Sequence, residues 1–277
     1  MPDYLPYVVV GLIIFLTHFQ EGITGFGCTV LALPFVTLLI GLDQAVPILV
    51  VQAWVLAGLI VIESRRHISW PQYGRIVGLA AIGLPVGIWG ATALPEHRLR
   101  WVLAGFMVVV GIQGFLRERR AATRHGAAAM NCGRALQSPT PSASRALESP
   151  PTDARPHTTW WAQALLPLGG LAQGAFGSGG PLVVVYAARA LTHKSVFRAT
   201  LCMLWLTLNS VMIGTWAVGG RLDTHMLAMN AAYLPATLVG LWLGNRAHYR
   251  INEHAFRQIV YGVLTLSGVV LVWSLLK

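Results

Sequence analysis

Charged side chains are scarce. Asp, Glu, Lys and Arg make up 11% of the 277 residues, where a soluble domain carries about 25%. That deficit excludes an ordinary water-soluble globule. Cysteine is scarce too: Cys28, Cys132 and Cys202 lie far apart with no CxxC pair or His-rich partner. No disulfide frame and no metal site follow from such spacing. The two cysteines within apolar runs read as small hydrophobes. The start, MPDYLPYVVV, lacks a basic stretch before its apolar run, so it reads as a first membrane segment rather than a cleaved signal. No catalytic group and no cofactor are expected.

What the chain has is apolar residues, 55% of the total, with a mean hydropathy of +0.60. They recur in continuous runs of roughly 17–25 residues, the length that crosses about 30 Å of hydrocarbon. A membrane barrel would show short alternating segments instead. The expected fold class is therefore an all-α polytopic membrane protein. The net charge of +10 does not point to nucleic acid, because the arginines fall almost entirely between apolar segments, where topology explains them.

Apolar segments are predicted at about 5–20, 22–41, 44–62, 76–94 and 99–116, then at 160–173, 174–190, 196–218, 225–244 and 256–275. Between the two sets lies 117–159, rich in Arg, Ser, Pro and Ala and without periodicity. Such a stretch buries too little apolar surface to order itself. The expected organisation is a first membrane repeat, 1–116, a flexible linker, 117–159, and a second membrane repeat, 160–277.

The halves repeat. QEGITGFG (20–27) aligns with AQGAFGSG (172–179), placing Glu21 on Gln173, Gly22 on Gly174, Gly25 on Gly177 and Gly27 on Gly179 at an offset of 152. EHRLRWVLAG (96–105) matches EHAFRQIVYG (253–262), and LPVGIWG (84–90) loosely matches LPATLVGLWLG (234–244). Three matches in one order argue for duplication. Five segments per half is odd, so the second copy is expected upside down relative to the first. Sixteen of the twenty basic residues then fall on the linker's face, which the positive-inside rule makes cytoplasmic, with both termini outside.

Three glycines in a membrane segment permit left-handed backbone and close approach of another chain or a ligand. Broken backbone is tolerated in hydrocarbon only where protein or a watery cavity surrounds it. Each half is therefore expected to carry a helical hairpin that turns near mid-bilayer, either re-entrant or fully spanning. Helix starts beside the glycines offer bare N–H groups and partial positive charge to an anion. Inverted repeats with broken helices and a midplane site are the plan of many secondary transporters. The expected solute site comprises Gln20, Thr24, Gly25, Phe26 and Gly27 from the first break. From the second it takes Gln173, Gly174, Phe176, Gly177, Ser178, Gly179 and Gly180, with Thr29 as a further hydroxyl donor. The alternative is that the glycines serve only tight helix packing.

Glu21 is the one acidic residue within an apolar segment pair, and an intramembrane carboxylate points to function, often proton handling. His18 lies three residues before it on the same helical face, so a His18–Glu21 proton pair is one reading. Capping of freed N–H groups by Glu21 is the other. Gln52, Thr200 and Asn209 either line the pathway or bond across helices. Arg189 and Arg198, beside the end of the second hairpin, anchor the cytoplasmic face or funnel anions.

The stretches TGFGCTVLALP (24–34) and QGAFGSGGPLVVVY (173–186), with the two-half layout, resemble the sulfite exporter TauE/SafE family of membrane permeases. The resemblance covers nearly the whole chain except 117–159. It implies export of sulfite, organosulfonates or related sulfur anions across the inner membrane. Glu21 stands where the resemblance implies an uncharged residue. Apart from the resemblance, the expected partners are a small anionic solute and the lipid bilayer, with a coupling ion such as a proton and a homo-oligomer left open by the sequence. The competing classes are an intramembrane enzyme acting on a lipid phosphate, which would want paired acids, and an anion channel.

The topology is directly measurable. Green fluorescent protein inserted near residue 140 is expected to fluoresce and alkaline phosphatase at the same place to be inactive. A fusion at residue 95 is expected to give the opposite pair of results.

Overall fold

The computed structural model describes residues 5–95, 160–191 and 193–247, together with 97, 98, 101, 102, 105 and 109. Within them the apolar runs are helices. The first half contains α1 (Leu5–Thr24), α2 (Cys28–Ile40), α3 (Leu42–Ser64) and α4 (Trp70–Ala93). A single 3₁₀ turn, Arg65–His67, links α3 to α4. The second half contains α5 (Trp160–Phe176), α6 (Gly180–Ala190), α7 (Lys194–Val218) and α8 (Thr224–Ala247). The expected linker 117–159, most of segment 99–116 and all of segment 256–275 lie outside the described residues, as does the EHAFRQIVYG match.

Five of these helices, α1, α3, α4, α7 and α8, are long and apolar enough to span a membrane. Side-chain placement agrees with a lipid surround. Ile82, Trp89 and Val218 are 64%, 70% and 93% exposed, whereas Glu21, Gln173, Ser178 and Asn209 are each 2% exposed. Water would favour the reverse arrangement, so the chain is a polytopic membrane protein. The short helices are the return arms of the two hairpins. With 13 residues in α2 and 11 in α6, they reach only about 20 and 17 Å at 1.5 Å per residue.

The hairpin turns fall later than the sequence segments place them. The expected boundaries near residues 21 and 173 lie inside α1 and α5, which continue to Thr24 and Phe176. A helix tolerates Gln, Glu and a single Gly; it stops where the backbone turns left-handed. That happens at Gly25 (φ 78°) and Gly27 (φ 102°) in the first break and at Gly177 (φ 63°) in the second.

The halves interlock rather than sit side by side. Helix α1 packs along α8 of the other half, and α5 packs along α4. Both seams are parallel and lined by glycine. A Cβ on Gly22 would lie 3.1 Å from Gly244 Cα, and one on Gly240 would lie 2.7 Å from Phe15 O. On the other seam, a Cβ on Gly83 or Gly87 would collide with backbone of α5, and one on Gly170 or Gly174 with backbone of α4. This is the small-residue packing that brings membrane helices within backbone contact. At the centre α3 crosses α7 antiparallel, with Trp54 Nε1 donating to Ser210 Oγ at 2.8 Å and Gly58 beside Leu206. Matching α1–α4 with α5–α8 in order sends each of these packing relations onto another of the set.

Seam and lipid-facing glycines should therefore respond oppositely. Gly83→Ala is expected to destabilise by about 1–3 kcal/mol or more, because the methyl meets the Pro167 carbonyl. Gly78→Ala, with nothing within 4 Å, is expected to leave melting in detergent unchanged or slightly raised.

Candidate solute site at the paired helix breaks

The two breaks meet at the crossing of α3 and α7. Trp205 Nε1, near the midpoint of α7, donates to Gly25 O at 3.2 Å, and Cys202 Sγ lies 3.7 Å from the same oxygen. One turn further along α7, Asn209 Oδ1 accepts from Gln173 Nε2 at 2.7 Å. A Cβ on Gly177 would strike Val50 of α3 and lie 3.5 Å from Thr29 Cγ2. The breaks thus adjoin at mid-helix depth, as the motif alignment anticipates.

A freed amide at each break is capped by the residue one turn before the helix end. Glu21 Oε2 accepts from Cys28 N–H at 3.0 Å. Gln173 Oε1 accepts from Gly179 N–H at 2.9 Å. These are the two aligned positions, so the repeat extends to a shared hydrogen-bond role. Other donors lack a helical acceptor. The first amides of a helix have no carbonyl one turn back. The Thr29 amide lies against the Cys28 sulfur, which leaves Val30 on α2 and Gly180 and Leu182 on α6, the first carbonyl-bonded amides being Leu31 and Val183; Pro181 has no N–H. Ser178 Oγ is buried and has no hydrogen-bond partner.

Those groups surround a small cavity of about 20 Å³. The first half contributes Glu21, Gly27, Thr29, Val30 and Ala53 to its wall. The second contributes Gln173, Gly177, Ser178, Gly180, Trp205 and Asn209. The space holds roughly one water. A second, wider cavity of about 470 Å³ lies between the start of α3 and the α7–α8 connection, with Asp43, Arg221, Asp223 and His225 on its wall. Its Trp216 stands seven residues beyond Asn209, about 10 Å along α7, so the two cavities are stacked along one face of that helix.

Of the expected site residues, Gly27, Thr29, Gln173, Gly177, Ser178 and Gly180 line the central cavity, as does Glu21. The others serve its frame. Gln20 Nε2 donates to Thr24 Oγ1 and Phe26 O, each at 3.0 Å, and holds the first turn closed. Gly25 packs on Arg198, with a Cβ there only 2.8 Å from Arg198 Cγ. Phe26 meets Phe197 edge-to-face at 6.1 Å, and Phe176 is buried in the apolar core. Gly174 belongs to the α4 seam, and Gly179 packs against Gly169 O. Of the pathway candidates only Asn209 reaches the cavity. Gln52 bonds Asn230 and Thr237 of α8, and Thr200 Oγ1 accepts from Ser69 N–H at 3.0 Å, so both tie helices together.

No hydrogen bond joins His18 to Glu21. The His18 ring donates from Nδ1 to Ile14 O at 2.7 Å, because a carbonyl can only accept. Its Nε2 is buried without a partner. Sequence reasoning passed over Trp205, Val30 and Ala53. Their chemistry is that of any apolar span, and only the crossing of α3 and α7 brings them to the breaks.

Comparison with known proteins agrees with this architecture. The family model described as Sulfite exporter TauE/SafE matches residues 10–271. A curated relative, the Probable inner membrane transporter protein TsaS of Comamonas testosteroni, is 25% identical over 204 residues, 73% of this chain and 72% of its own. No solved structure matches.

The caps should be measurable apart from any transport. Gln173→Leu strands the Gly179 amide and Asn209, and Glu21→Leu strands the Cys28 amide. Each is expected to cost about 1–2 kcal/mol in detergent melting. Glu21→Gln keeps an acceptor oxygen and is expected to melt within a degree or so of the wild type.

Proposed function

The chain belongs to the sulfite exporter TauE/SafE family, and on that premise we propose that it exports a small sulfur oxyanion, such as sulfite or an organosulfonate. The family consists of transporters rather than enzymes, and the chain is accordingly a multi-pass transporter of the inner membrane. The observation that carries the anion reading is the central cavity, where the starts of α2 and α6 meet the buried, unpartnered Ser178 hydroxyl. Helix N-termini favour negative charge, and donors without acceptors favour an oxyanion.

Alternating access is the proposed mechanism, with the two halves as inverted copies. The antiparallel crossing of α3 with its counterpart α7, and the reciprocal pairing of α1 with α8 and α5 with α4, support that inversion. The cavity holds about one water, so admitting a sulfonate requires the surrounding elements to move. That favours a gated carrier over an open pore. The wide cavity with Arg221 and His225 serves as the outer vestibule, and the linker 117–159 stays cytoplasmic.

A specific observation favours Glu21 as the proton-coupling group. The equivalent cap in the second half is made by Gln173, so capping alone does not require a carboxylate. An ionisable residue at Glu21 supplies something that Gln173 does not.

Purified protein in proteoliposomes is expected to move radiolabelled sulfite saturably, with competition from methanesulfonate and none from neutral or cationic solutes. Ser178→Ala is expected to raise the KM several-fold without lowering the melting temperature, since its hydroxyl has no partner to lose. Glu21→Gln is expected to flatten the pH dependence of transport. Indifference of the flux to anion identity would remove the substrate reading, and an unaltered pH profile in Glu21→Gln would remove the coupling role.

A further inference from the structure

We propose that Arg198 is a second anion-binding station of the transport path, on the cytoplasmic side of the central cavity, taking an oxyanion by a two-pronged contact. The proposal rests on the transport reading only for its place on a path; binding of the anion stands on the geometry alone.

Arg198 is the fifth residue of α7 and only 5% exposed, so it is not an interfacial anchor reaching for water. A buried charge without a counter-charge is costly, yet among the described residues no carboxylate bonds this guanidinium. One nitrogen, Nη1, donates to Asn245 Oδ1 at 2.9 Å. Asn245 in turn is held by its Nδ2, which donates to the Glu63 carboxylate at 3.1 and 3.2 Å. The remaining two nitrogens, Nε and Nη2, are buried and have no partner.

Those two are the pair that matters. Nε–H and the adjacent Nη2–H point the same way in the guanidinium plane, a fork that matches two oxygens of one carboxylate, phosphate or sulfur oxyanion. Asn245 fixes the plane from the far side, and the side-chain stem lies across Gly25, where a Cβ would be 2.8 Å from Arg198 Cγ. The fork is thus preorganised and empty of protein acceptors.

Its location follows the path. Arg198, Cys202, Trp205, Asn209 and Trp216 recur at spacings of three, four or seven and share one face of α7. Trp205 and Asn209 line the central cavity and Trp216 the wide one. Arg198 stands seven residues before Trp205, about 10 Å toward the opposite end. Two stations separated in this way let an anion pass from a charged fork to the amide- and hydroxyl-lined central cavity, and weaker binding at the second permits release.

The test is melting of the full-length protein in detergent with sulfite, methanesulfonate or added phosphatidylglycerol, each against chloride at equal ionic strength. Sulfite and methanesulfonate are expected to stabilise the wild type by several degrees. In Arg198→Gln the apparent affinity is expected to fall at least about tenfold, the loss of one or more charge-assisted hydrogen bonds. Arg198→Lys, a point charge without the fork, is expected to fall between the two. Without anion, Arg198→Gln is expected to melt at or above the wild type. Should a variant fail to fold, sulfite is expected to protect Arg198 of the wild type from phenylglyoxal, read by peptide mass. Equal stabilisation of wild type and Arg198→Gln, stabilisation by phosphatidylglycerol alone, or absence of both stabilisation and protection overturns the proposal. If the melting shift depends on Arg198 but liposomes move no sulfite, the transport reading falls and the binding station stands.

Discussion

Backbone inside hydrocarbon must have its polar groups satisfied, and every feature of this molecule's centre answers to that constraint. Two helices, α1 and α5, stop at glycine turns inside the protein, and each stop frees amides and carbonyls that lipid could not solvate. Trp205 and Cys202 take up the Gly25 carbonyl. Glu21 and Gln173 take up one amide each. Asn209 holds Gln173 in place. What is left over, a few amides and one hydroxyl, faces a cavity instead of lipid. The candidate site is the unsatisfied remainder of an otherwise complete set of hydrogen bonds.

The same economy shapes the packing around it. Glycines on α4, α5 and α8, together with Gly22 of α1, admit backbone-to-backbone contact along two parallel seams. Large apolar residues are sent outward to lipid, as at Trp89 and Ile82. Interhelical hydrogen bonds such as Gln52 to Asn230 and Thr237 to Gln52 stitch α3 to α8 beyond the breaks. Polar residues in the spans therefore have two occupations: Gln52 and Thr200 tie helices together, whereas Glu21, Gln173 and Asn209 reach the cavity.

That division sets how much was legible in the sequence. The apolar runs, the paired breaks and their convergence could be read from segment lengths and the aligned glycines. The residue at which each helix ends could not, because Gln20, Glu21 and Gln173 are tolerated in a helix as well as in a turn; only the left-handed dihedrals at Gly25 and Gly177 decide. Gln52 and Asn209 look alike in a single sequence, and their opposite uses depend on which neighbour crosses at that height. Arg198 sits at the edge of an apolar segment, where positive residues usually mark the cytoplasmic face. Its burial comes from Gly25 passing over its stem and Asn245 closing its end, contacts made by residues 173 positions before it and 47 after.

The pairing of α1 with α8 has a consequence for biosynthesis. Helix α1 has its glycine seam matched to a helix that begins 200 residues later, at Thr224. At about 5–20 residues per second of translation, α1 waits on the order of ten seconds or more before its partner exists. Throughout that interval the Gly22 face of α1 must be covered by the insertion machinery or by lipid, since α8 has not yet been made. Nascent-chain quality control, rather than the finished carrier, is where a substitution on this seam would first be felt.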